Sequence, residues 1–229
     1  MKLFSMDPNR ASWNRQQHLL QRALSLPEKH PEYISLFFSQ HAQVHSARMS
    51  FAGKWSFQDE VLDGMDDSSL RRIPPNSEHS IAWILWHLAR IEDVTMNILV
   101  AGSWQLLERE GWLEKMRTNI KDTGNAANVE KVTRLSETLD LDNLKAYRIA
   151  VGQRTRQIVS QLTPPELKQK IYPDRIIQVR VTGSMVAGAS DVLDYWSKRT
   201  IAGLLLMPPT RHCFLHLNEA LRIKHSLKI

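Results

Sequence analysis

The stretch "SEHSIAWILWHLARIEDVTMNILVAG", residues 77–102, constrains this chain more than any other. Trp83, Ile84, Ile91, Val94 and Ile98 recur at helical spacing and form one apolar stripe, with His87 at its middle. Pro74-Pro75, followed by Asn76 or Ser77 as cap, opens the predicted helix, and Gly102 closes it. A stripe of that length must be buried against other elements, and the rest of the chain offers mainly helices.

"EYISLFFSQHAQVHSARMS" after Pro31 predicts about five helical turns with Ile34, Phe37, Phe38, His41 and His45 on one face. "DNLKAYRIAVGQRTRQIVSQL" predicts a third long helix, with Asp142 as cap and Pro164-Pro165 after its end. "SDVLDYWSKRTIAGLLLM" reads as another helical run, separated by Pro208-Pro209 from a last helix that Thr210 caps. Short helices are expected in "WSFQDEVLDGM" and near 129–139, and Asp7-Pro8 starts a leading helix that runs towards Pro27. "IIQVRVTG", residues 176–183, reads as a strand or an extended loop. The fold class is therefore all-α, with a polar crossover from Ser103 to about Asp140 between the second and third long helices.

Composition bounds the function. With 42% hydrophobic and 24% charged residues over 229 positions, the chain has the makings of one large folded domain. Cys213 is the single cysteine, so no internal disulfide can form and a cytoplasmic setting is expected. The start "MKLFSMDPNR" lacks a signal-type apolar segment, and no run approaches the roughly 20 apolar residues that span a bilayer. The net charge of +6 is scattered in short groups such as Arg71-Arg72, with no groove-reading element, so no specific nucleic-acid partner is expected. No phosphate-binding glycine loop and no serine nucleophile elbow occur.

The chemistry concentrates in histidines. In "TRHCFLHLNEALRIK", His212 and His216 are four apart, about 40° around a helix, so both rings point one way. With His87 from the long apolar helix they supply three nitrogens for one divalent ion, leaving a position for water or substrate. His41 and His45 form a rival pair of the same spacing, and hydrogen-bonded core histidines are the simpler reading for any of them. Glu219, one turn past His216, orients an imidazole, ligates, or sits in a salt bridge. Cys213 reads as a small core residue, Trp83, Trp86 and Trp196 as core bulk, and Glu92 and Asp93 as surface charges.

"NSEHSIAWILWHLARIEDVTMN" and "DYWSKRTIAGLLLMPPTRHCFLHLNEALRIK" resemble the DinB-like superfamily, specifically its stand-alone bacterial members. The similarity extends from about Tyr33 to Lys224, which sets residues 1–30 apart as a helical extension and 31–229 as the domain. The resemblance implies a four-helix bundle with a long crossover between helices 2 and 3. It also implies a divalent metal, Zn²⁺, Ni²⁺ or Fe²⁺, on His87, His212 and His216. His79 departs from the pattern and leaves room for a fourth imidazole near the mouth. Related bundles include metal-dependent transferases and isomerases that use low-molecular-weight thiols, and the iron-site half of ergothioneine-type enzymes, whose second domain is absent here. The implied function is a metal-activated thiol or water attacking a small electrophilic substrate, in a homodimer. The rival is a non-catalytic, stress-associated interaction bundle whose metal is structural or absent.

Overall fold

A computed structural model describes residues 7–26 and 29–227. The first six residues, on which the expectation about a signal segment rests, and Pro27 lie outside them. Among the described residues the protein is all-α, with no strand beyond one isolated bridge between Lys170 and Thr200. Five helices carry the architecture: α1 (Pro8–Leu24), α2 (His30–Val44), α3 (Ile81–Asp93), α4 (Leu141–Gln161) and α5 (Cys213–Ser226). No helix among the described residues is long and apolar enough to cross a membrane.

Helix α3 is buried on every side, from Ile81 through Asp93 and onward through a widened π-helical segment, Val94–Val100. It packs against α4 and α5, and its two ends belong to different apolar clusters. Ile81 to Ala89 join Cys213, Phe214 and Leu217 of α5, whereas Ile91 to Val100 join Phe37 of α2 and Ile158 of α4. The changeover falls at buried polar groups: His87, Arg90, Glu92 and Asp93. The surface position expected for Glu92 and Asp93 is thus wrong. Asp93 accepts hydrogen bonds from Tyr147 Oη (2.6 Å), Asn97 Nδ2 (2.8 Å) and the backbone N–H groups of Leu106 and Leu107 (both 3.0 Å), which removes the penalty for its burial.

Several helix boundaries differ from expectation, each for a local reason. Ser80, rather than Asn76 or Ser77, caps α3, its hydroxyl accepting from the Trp83 N–H at 3.0 Å. Asp140, not Asp142, caps α4 through the Asn143 N–H at 3.0 Å. Helix α2 stops at Val44, and His45 follows in extended backbone with φ −113° and ψ 166°. The segment read as strand or loop is helical over Pro173–Val181, started by a proline in its first turn, a position that needs no N–H. The run from Ser190 breaks into Ser190–Ser197 and Ile201–Leu205, the second capped by Thr200.

Pro208-Pro209 does not separate helices. Proline removes a donor and crowds the preceding turn, and the chain absorbs both by widening into a π-helical segment, Met207–His212, that runs straight into α5. Thr210 is accordingly no cap: its hydroxyl donates to Leu205 O at 3.0 Å and accepts from Gln17 Nε2 at 3.2 Å. That second bond comes from α1, which is seated on the core. Trp13 is fully buried and stacks on Phe214 with centroids 4.1 Å apart and planes within 6°.

Candidate metal centre

His87, His212 and His216 come together from α3, the π-helical turn and α5. Each offers one ring nitrogen, and the three nitrogens lie within 4.8 Å of one another. His87 Nε2 and His212 Nε2 are 3.3 Å apart. That is close to the roughly 3.3–3.4 Å expected between two nitrogens that sit about 2.0–2.1 Å from one tetrahedral zinc ion.

The other ring nitrogens set the tautomers. His87 Nδ1–H donates to the Thr123 carbonyl at 2.6 Å, and His216 Nδ1–H donates to Glu219 Oε2 at 2.8 Å. Each leaves its Nε2 as the lone-pair nitrogen, the arrangement in which an outer hydrogen bond holds a metal-binding imidazole. His212 Nδ1 is buried with no partner. Burial, with the neighbouring His216 adding to it, holds His87 near a pKa of about 3, and burial with His87 and His216 pushes His212 well below the ordinary histidine range. Both rings are therefore neutral at pH 7, the protonation state a metal ligand needs.

His79 is not a fourth member of this group. Its Nδ1 bonds Glu219 Oε1 at 2.7 Å, and its ring stacks on Trp83, which in turn stacks on His87. Glu219 thus joins two imidazoles. Burial alone would raise its pKa, but the hydrogen bonds and charges of His216 and His79 outweigh that and hold it at about 2. A cavity of about 310 Å³ opens beside them, lined by Asn76, Ser77, Glu78, His79, Glu219 and Arg222.

Two contributors were invisible in the sequence. Thr123 sits in the crossover and acts through its carbonyl, which carries no side-chain signal. Gly124 follows it at φ +82°, and an added Cβ would stand 2.8 Å from Trp86 and 3.2 Å from Trp83, so only glycine lets this loop approach the ring of His87.

The rival pair is also brought together, but around a carboxylate. His41 Nε2 lies 2.8 Å from Glu92 Oε1 and His45 Nε2 lies 2.9 Å from Glu92 Oε2. Cys213 is buried as expected, its thiol pushed up to about 12 chiefly by burial.

Fold and site together define an all-helical protein with a histidine-lined group that can hold a metal ion. Residues 51–219 match the DinB superfamily, more than half of the chain, and the protein belongs to that superfamily. The matched span contains His87, His212 and His216 but neither His41 nor His45. No curated protein matches the chain.

Proposed function

We propose that this protein is a divalent-metal-dependent enzyme in which His87, His212 and His216 hold Zn²⁺, Ni²⁺ or Fe²⁺. The observation that carries the reading is the pair of outer hydrogen bonds, His87 Nδ1 to Thr123 O and His216 Nδ1 to Glu219 Oε2, which leave Nε2 as the lone-pair nitrogen of both rings. Three imidazole nitrogens with no carboxylate among them leave room for a further ligand on the ion. A metal in such a site lowers the pKa of a bound thiol or water and supplies a nucleophile at neutral pH.

The chain's own residues have distinct parts in this reading. Thr123 and Glu219 orient the rings, while Trp83, stacked on both His79 and His87, shields one side of the site from water. The anionic Glu219, bonded to His216 Nδ1, would offset part of a bound ion's charge through that ring. A small electrophile is the substrate class, attacked by a low-molecular-weight thiol or by water, and the setting is a cytoplasmic homodimer.

The test is metal analysis of the purified protein followed by turnover of a model electrophile with a panel of small thiols and with water. Metal-dependent consumption that is lost in His216→Ala supports the reading. Stoichiometric metal on these three histidines with no turnover across the panel instead favours the non-catalytic bundle.

A further inference from the structure

The His41, His45 and Glu92 cluster lies outside the span matched to the family at its histidines, and the function proposed above makes no use of it. Its three side chains are 0%, 1% and 0% exposed. His41 comes from the last turn of α2, His45 from the extended residue that ends it, and their rings are 4.3 Å apart between centroids. Glu92 enters from α3, five residues past His87 and so about 7.5 Å further along the helix axis. Gly152 of α4 is part of the cradle: a Cβ there would stand 2.9 Å from His45 Nδ1.

Glu92 is a buried carboxylate faced by two imidazoles. A carboxylate withdrawn from water is stabilised by nearby positive charge, whether a protonated side chain or a bound cation. Among the described residues, the ion-pairing partners of Glu92 within 4.0 Å are the two imidazoles alone. The buried Arg148 donates to the neutral acceptors Gln58 Oε1, Val44 O and Cys213 Sγ and makes no direct ion pair with Glu92. Two imidazole nitrogens and a carboxylate within 4.8 Å of one another are a donor set for a borderline divalent ion.

We propose that His41, His45 and Glu92 form a second, fully enclosed divalent-metal site, so that the protein binds two ions: an open one at the three histidines and a closed, structural one between α2 and α3. The second ion ties His41 and His45 to the same helix that carries His87. Both Nδ1 atoms of the pair are buried without a partner, so no contact outside the cluster fixes either tautomer. The competing arrangement is a hydrogen-bonded clamp, with each Nε2–H donating to Glu92.

Zinc stoichiometry decides between them. Full-length protein is stripped with a chelator, reloaded with excess Zn²⁺, desalted and analysed for zinc per chain. Two equivalents are expected for the wild type, one for His216→Ala, one for Glu92→Gln and none for the double variant. Glu92→Gln keeps the shape and an acceptor for the imidazole N–H groups while removing the anionic ligand, so it separates metal loss from gross misfolding. A wild type holding one equivalent that Glu92→Gln retains, or two that Glu92→Gln retains, overturns the proposal. One equivalent lost in Glu92→Gln and kept in His216→Ala would instead uphold the second site and sink the three-histidine reading. Should Glu92→Gln fail to fold, His216→Ala alone answers: loaded with Co²⁺, it must show one bound ion with ligand-field absorption and a chelator-induced drop in Tm, and the absence of both overturns the second site.

Discussion

Glu219 controls how His216 presents its ring, since it accepts the Nδ1 proton at 2.8 Å and is itself held by His79 at 2.7 Å. Removing the charge while keeping the shape isolates that role. Glu219→Gln is expected to weaken metal binding by about 10–100-fold, the usual cost of losing an outer partner of a metal-bound imidazole. Competition with a chromophoric chelator measures this, and unchanged affinity would mean that the Glu219 contact has no part in metal binding. The histidines themselves were legible because residues four apart share a helix face. The carboxylate of Glu92 was not, because a charged residue reads as solvated until the polar groups that enclose it, here His41 and His45, are placed beside it from another helix.

Among the elements, α1 has the most unexpected part. It lies before the matched span, yet Trp13 is buried against Phe214, two residues from His212, and its indole N–H donates to Gln40 O at 3.2 Å. Trp13→Ala leaves a cavity against α5 and is expected to cost about 3–5 kcal/mol, read from urea or thermal unfolding. A loss below 1 kcal/mol would make α1 the loose appendage that its position in the chain suggests. The π-helical turn at Met207–His212 has the opposite history: its proline pair reads as a helix break in sequence, but the flanking apolar contacts of Leu204, Leu205 and Phe214 hold the chain in line and make it widen instead. Local propensity loses here to tertiary packing.

At the scale of the whole molecule, buried neutral histidines tie folding to pH. In metal-free protein His87 and His45 have pKa values near 3 in the fold, mainly through burial, against an ordinary 6.5. The unfolded chain therefore takes up protons first as the pH falls below 6.5, and stability declines from there towards 3. Glu219 acts in a lower window: its pKa is depressed from 4.5 to about 2, so its contribution is present above 4.5 and is lost as the pH falls through 2. Urea melts of the stripped protein should show a plateau above pH 7 and a steady loss from pH 6.5 to 4.5. A flat profile across that range would contradict neutral burial of these rings.

The sequence by itself determined the long amphipathic helices and the triad's candidates. Periodicity of apolar residues is a local property, and the spacing of His212 and His216 and the stripe around His87 both follow from it. The resemblance then joined the two blocks. Tertiary structure alone decided what the second ring nitrogens bond, and hence which nitrogens remain free. Those partners, a carbonyl at Thr123 and a carboxylate shared with His79, come from distant points of the chain. It also decided that Glu92 is an interior anion, because burial is a property of every element packed around a residue, while the pattern along one helix records only that helix's own faces.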